Sequence, residues 1–271
     1  MAEGDTVLRA ARRLEEALGG AEVSVSSPSP RGRGAGLERL DGRRLDGVEA
    51  HGKNLLLRFG DLVLHSHLGM NGAWHVYRRG ALWRKPATAA WALLRDERWE
   101  AVQFGGPTLR VLRAAAVRLD PQLSSLGPDV LAEDFDLDTA VRSLRGRSVR
   151  TLSRYSLPSA NATGFGGAVG LGEALLDQRR IAGIGNIFKS EGCFAARLDP
   201  WRRLEDLDDA ELERVLLATR ELMLRAVAEG RHERAVYRRA GRPCPVCGAS
   251  IRSRGQGDAN RTTYWCPRCQ K

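Results

Sequence analysis

At 271 residues and a formal net charge of +10, the chain is long enough for two ordinary domains, while a further element of about thirty residues would need a staple. Four of its five cysteines fall in the last twenty-eight residues, which excludes a disulfide framework spread over a secreted domain. No run of about eighteen apolar residues occurs and no basic-then-apolar leader precedes the first element, so the expectation is a protein without a membrane partner, in a reducing bacterial cytoplasm at the nucleoid.

From Asp5 to Leu18, Val7, Leu8, Ala11, Leu14 and Leu18 recur at helical spacing, with Asp5 or Thr6 able to cap the start and Gly19 and Gly20 ending the pattern. Ser27 to Gly36, rich in Ser, Pro, Gly and Arg, reads as an exposed loop. Short β-like runs follow at Leu55 to Phe59, Leu62 to His65, Ala73 to Tyr77, Val102 to Phe104 and Leu109 to Leu112, which favours a sandwich or barrel. After Asp120 and Pro121 the pattern turns helical, at Asp138 to Leu144, Gly172 to Arg180, Gly185 to Arg197 and Asp208 to Ala228, with Gly230 as a stop. Ser156 to Gly172, rich in Gly and Ala, reads as a loop.

Lysine occurs only at Lys53, Lys85, Lys189 and Lys271, so arginine carries the positive charge and points to a polyanion partner. A GC-rich coding sequence would also enrich arginine. It does not account for the clustering from Arg225 to Arg268, where acids are few.

Cys244 with Cys247 and Cys266 with Cys269 form two Cys-x-x-Cys knuckles separated by eighteen residues. Two tight turns of this kind present four thiolates to one tetrahedral zinc ion, leaving no open position, so the expected role of the Zn2+ is structural. A pair of redox dithiols is the competing reading, and a lone thioredoxin-like motif would sit in a βαβ context and not come twice. Cys193, in the apolar stretch ending at Ala196, reads as core. Between the knuckles, Ile251 to Arg254, a turn from Gly255 to Asn260, and Arg261 to Trp265 predict a β-hairpin. Its arginine beside the tip suits a groove contact, although a plain solvated hairpin has the same pattern.

Three separated segments together resemble the formamidopyrimidine-DNA glycosylase / endonuclease VIII family, closest to its endonuclease VIII-like branch. They are Met1 to Val7 leading into a helix, Leu175 to Glu191 containing Gly185-Asn186-Ile187-Phe188, and Arg242 to Gln270. Supporting matches run from His51 to Leu57, from His65 to Gly72 and from Leu126 to Asp129, so the resemblance spans the chain in order.

The resemblance implies an α+β protein: an N-terminal β-sandwich with a leading helix (1–119), a helical domain with a helix–two-turn–helix (120–240), and a zinc hairpin (241–271). It implies a monomer acting on double-stranded DNA containing damaged bases or abasic sites, which flips the base and cuts its N-glycosidic bond. His67, Lys53, Asn186 and Arg261 would hold phosphates, Asn186 at a helix start where backbone amides can join it; alone, Asn186 could equally be a helix cap. Met70 would fill the gap left by the flipped nucleotide, though a bare reading makes it core. Phe104 would stack near the orphan base, but Val102 stands where members with that aromatic carry Arg.

The largest departure is at the nucleophile, an N-terminal proline amine in the family and Ala2 here. Glu3 beside it would shuttle protons. Three outcomes stay open: lesion binding without turnover, a monofunctional glycosylase using water and Glu3, or a slower bifunctional glycosylase and abasic-site lyase using the Ala2 amine or Lys53. A zinc-finger transcription regulator is a further class, distinguished by sequence-specific instead of lesion-dependent binding.

Overall fold

The computed structural model describes residues 2–146 and 169–271. They divide into two compact units, Met1–Leu123 and Ser124–Lys271.

The first unit begins with α1 (Gly4–Leu18), whose buried Val7, Ala11, Leu14 and Leu18 form one stripe at intervals of three and four residues. Glu3 occupies the N-cap with no side-chain cap, in place of the expected Asp5 or Thr6; Asp5 is buried inside the first turn and pairs with Arg9 at 3.4 Å. Nine strands follow: β1 (Glu22–Ser26), β2 (Arg43–Arg44), β3 (Gly47–His51), β4 (Asn54–Phe59), β5 (Leu62–His67), β6 (Ala73–Arg78), β7 (Ala90–Arg95), β8 (Trp99–Phe104) and β9 (Thr108–Arg113). The short helices α2 (Ala114–Val117) and α3 (Pro121–Ser124) come next, the latter reaching the boundary between the units.

The strands make a five-stranded sheet in the order β2-β1-β7-β8-β6 and a four-stranded sheet in the order β3-β4-β5-β9. One apolar cluster joins α1 (Val7, Leu14) to both sheets, through Val25, Leu94 and Ala101 on one side and Leu55, Leu57 and Leu64 on the other. This is the core of the expected sandwich. The β6 and β7 strands flank β8 and both run antiparallel to it, so residues 79–89 form a crossover. Trp83 of that crossover joins a second cluster with Leu93, Val102 and Phe104. Strand β7 therefore has apolar residues in two clusters, Ala92 and Leu94 in one and Leu93 in the other. That double burial removes the alternation by which a half-buried strand is recognised. In the segment expected to be an exposed loop, Pro30–Gly32 is a short 3-10 turn and Ser29 and Gly32 are buried.

The second unit contains α4 (Leu137–Leu144), α5 (Leu171–Leu176), α6 (Asn186–Ala195) and α7 (Asp209–Glu229), then a hairpin of β10 (Arg252–Gln256) and β11 (Arg261–Trp265). Helix α7 opens on a reciprocal cap between Asp208 and Glu211 and closes on Gly230 at φ 73°. Helix α5 stops at Leu176, four residues before the expected Arg180, because residues 177–185 form the two turns leading into α6. The loop expected over Ser156 to Gly172 lies outside the described residues up to 168, and its last two residues already belong to α5.

Candidate nucleic-acid interface

In the first unit, residues 68–72 turn between β5 and β6, and the N–H of Gly72 donates to the Leu68 carbonyl at 2.9 Å. Gly72 has no room for a side chain, since a Cβ there would meet Leu68 and Gly105 oxygens. The turn presents Met70 outward at 62% exposure. The Ala2 N–H donates to the Gly69 carbonyl at 3.2 Å, so the start of the chain lies against the same turn. Ala2 is 9% exposed and Glu3 is buried.

Lys53 lies with Gly52 in the two-residue turn from β3 to β4, where His51 pairs with Asn54. Asn54 in turn pairs with His67 at the end of β5. Burial holds the His67 pKa below the usual histidine value and the Lys53 charge lowers it further. His67 Nδ1 is buried without a hydrogen-bond partner, leaving Nε2 as its outward-facing nitrogen. The unit thus brings Ala2 against the turn of Met70, and the turn of Lys53 next to the strand end that carries His67. Phe104 departs from the expected stacking role: it is 1% exposed, edge-on to Trp83 and His75 and capped by Lys85 Nζ at 5.6 Å from its ring centre. Its face is occupied by the crossover, not offered to a base.

In the second unit, the two turns before α6 are organised by Gln178, which the spacing of motifs does not single out. Its Nε2 donates to the carbonyls of Leu176 (2.8 Å) and Ile184 (2.9 Å), and its Oε1 accepts from the Gly183 N–H at 3.1 Å. Gly127 passes so close that a Cβ would lie 2.5 Å from the Arg180 carbonyl oxygen, and its N–H donates to the Gln178 carbonyl at 2.9 Å. Asn186, 8% exposed, is the first residue of α6; its Nδ2 donates to the Thr262 carbonyl at 2.8 Å, and its Oδ1 is buried without a partner. Arg261, exposed at the start of β11, is thereby tied to the positive end of a ten-residue helix.

The hairpin is fixed to α6 at further points. Lys189 Nζ donates to Thr263 Oγ1 at 2.6 Å, and Thr263 Oγ1 donates to Gln256 Oε1 at 2.7 Å. The Tyr264 N–H reaches Ser190 Oγ at 3.4 Å. Glu191 accepts from the N–H groups of Ala235, Val236 and Tyr237 at 2.7 to 3.1 Å. Gly255 and Gln256, expected in the turn, belong to β10, and Gln256 pairs with Arg261 across the hairpin.

The four sulfurs of Cys244, Cys247, Cys266 and Cys269 lie within 4.8 Å of one another, with Sγ–Sγ distances of 3.8 Å (Cys244–Cys269) and 3.5 Å (Cys247–Cys266). A tetrahedron with Zn–S bonds of about 2.3 Å has edges of about 3.8 Å, so the set fits zinc. The Ala249 N–H, ahead of the neighbouring thiols, holds the Cys247 thiol down, while burial pushes those of Cys266 and Cys269 up, so full ionisation of the set depends on the metal. Four protein ligands close the shell, and the metal's task is to fix the hairpin. Cys193 is core, its thiol pushed up to about 12 by burial.

Three family models match in succession: the formamidopyrimidine-DNA glycosylase N-terminal domain over residues 1–118, its H2TH domain over 126–236, and the zinc finger found in FPG and IleRS over 241–271. A probable endonuclease 8 2 of Streptomyces coelicolor is 39% identical over 100% of this chain and 94% of its own length. The endonuclease 8 2 of Mycobacterium bovis is 31% identical with both chains fully covered. Among solved structures, a Lactococcus lactis formamidopyrimidine-DNA glycosylase bound non-covalently to DNA containing an abasic site has the same fold, with TM-score 0.78, 24% identity and full coverage of both chains. By these matches, which run from one end of the sequence to the other, the chain belongs to the formamidopyrimidine-DNA glycosylase family and carries that family's four-cysteine zinc finger.

Proposed function

We propose that this chain is a DNA glycosylase of base excision repair, which flips a damaged, oxidised base from duplex DNA, breaks its N-glycosidic bond and cleaves the abasic site that results. One observation carries the reading furthest: the Ala2 nitrogen lies 3.2 Å from the Gly69 carbonyl oxygen, beside exposed Met70. The nitrogen that removal of Met1 would free as an amine and an apolar side chain able to fill a vacated base stack thus share one small region, which suits base-extruding chemistry. The family membership and the endonuclease 8 relatives support it.

Once Met1 is removed, Ala2 bears a primary amine with an ordinary pKa of about 8, so part of it is neutral at neutral pH. Its lone pair bonds to C1′ while the base leaves with the glycosidic electron pair and takes a proton. The sugar ring then opens, O4′ taking a proton, to give a Schiff base. Loss of the C2′ proton supplies the electrons that expel the 3′-phosphate. Glu3 carries protons through these steps, and Lys53 is the alternative amine. His67, Lys53, Asn186 and Arg261 hold the phosphates around the flipped nucleotide, and a single chain acts on each lesion. The working division is a catalytic domain at 1–119, a helix–two-turn–helix domain at 120–240 and the finger at 241–271, acting in the bacterial nucleoid.

A second reading, lesion binding without turnover, is favoured by Ala2 standing where the family pattern has proline. Borohydride trapping on abasic duplex DNA, run beside a base-release assay on duplex DNA carrying an oxidised base and with the N-terminal mass measured, separates the two. The glycosylase reading expects a covalent adduct at the N-terminus, and base release without an adduct would assign the work to water and Glu3. Tight abasic-site binding with neither adduct nor base release would overturn it in favour of binding alone.

A further inference from the structure

The turn that carries Lys53 is braced by side chains to which the proposed reaction assigns no task. Asn54 Nδ2 donates to the His51 carbonyl at 3.3 Å, across the base of the turn. Asn54 Oδ1 faces His65 Nε2 at 2.9 Å. On the other side of the ring, His65 Nδ1 faces Arg110 Nε and Nη2, both at 3.3 Å. A guanidinium has only donors, so Nδ1 accepts, and the single ring proton sits on Nε2, where it is donated to Asn54. Arg110 Nη2 continues to Asp120 Oδ2 at 2.7 Å. Asp120 Oδ1 accepts from the N–H groups of Gln122 and Leu123 at 3.1 and 3.2 Å.

Asn54, His65 and Asp120 are all buried, while the Arg110 side chain between them is 39% exposed, so the segment from His65 to the turn is the part shielded from water. Reversing any one dipole would leave a buried donor facing a donor, and the chain therefore has one consistent orientation.

We propose that His65 is a positioning residue for Lys53: its Nε2–H locks the Asn54 amide, and that amide locks the turn bearing Lys53. The other members serve this end. Arg110 selects the tautomer of His65, and Asp120, anchored by two backbone N–H groups, orients Arg110. The catalytic consequence rests on the reading of Lys53 as a site residue, whereas the positional consequence does not.

Four lysines in the whole chain make the test direct, because lysine-selective isotope labelling gives few signals and Lys53→Arg assigns the one required. In His65→Phe the Lys53 Cε resonance is expected to move, and in His65→Gln, which retains a donor, to stay close to wild type. Single-turnover cleavage of abasic DNA at saturating protein is expected to slow about tenfold or more in His65→Phe, with the rate restored in His65→Gln. If His65→Phe does not fold, Arg110→Met removes the tautomer-selecting donor and is expected to move the same resonance. A folded His65→Phe or Arg110→Met protein with the Lys53 resonance unmoved overturns the proposal. Lys53→Met is the control: cleavage at the wild-type rate would remove the catalytic role of Lys53, and the resonance would still decide whether His65 positions it.

Discussion

Acid should destabilise the first unit through His65, by an amount that the structure allows to be worked out. His65 is buried, with Arg110 donating to its Nδ1, and its pKa is lowered from 6.5 to about 4, first by desolvation and then by the Arg110 charge. Since the unfolded chain takes up a proton near pH 6.5 that the folded unit refuses, the stabilisation from neutral His65 is complete above pH 6.5 and is lost as the pH falls toward 4. At about 1.4 kcal/mol per pH unit, the full loss is about 3 kcal/mol, of which about 2 kcal/mol is lost by pH 5. His65→Gln does not titrate, so its stability should fall less between pH 7 and pH 5 by about that 2 kcal/mol. His67 and His75, also lowered by burial, contribute in the same direction and are common to both proteins. The measurement is urea unfolding followed by hydrogen exchange of the β5 amides, which reports this unit separately from the second. Equal pH dependence in the two proteins, or a His65 ring that titrates near 6.5 by NMR, would refute the reasoning.

Arg261→Ala should weaken binding to abasic DNA and flatten the salt dependence of the affinity by about one unit of log K against log salt, read from titrations at several salt concentrations. Asn186→Ala, which removes the bond to the Thr262 carbonyl, should cost less after Arg261→Ala than alone, so the double mutant should fall short of the additive loss. Chelation should release one zinc per chain and loosen the hairpin, and Cys247→Ser should do so at lower chelator concentration; a dye assay for zinc with hydrogen exchange of β10 and β11 checks both. Met70→Ala, at a position 62% exposed, should change stability by less than about 0.5 kcal/mol while slowing base release, which thermal unfolding and single-turnover kinetics test together.

The features set by neighbours in the sequence were legible in it. The zinc ligands follow from two Cys-x-x-Cys spacings, and α1 and α7 from apolar residues three and four apart with glycine after them. Other features depend on residues far apart in the chain. Phe104 is buried because residues 79–89 cross back over β8 and lay Trp83 against it, which no pattern within β8 encodes. Strand β7 escaped the alternation rule because both its faces are covered.

The Asn186 contact spans 76 positions to a backbone carbonyl, a group that every residue carries and no motif can mark. The Asp120–Arg110–His65–Asn54 line is invisible for a related reason, since each residue is unremarkable until the pairing of β4, β5 and β9 stacks them in hydrogen-bond range. The sequence by itself thus determined the metal site and the leading helix, whereas Met70, which a bare reading makes core, is 62% exposed. Only the tertiary structure decided which side chains hold the turn of Lys53 and the hairpin in place, because the direction of a buried donor is fixed by its partners across the sheet and not by its neighbours along the chain.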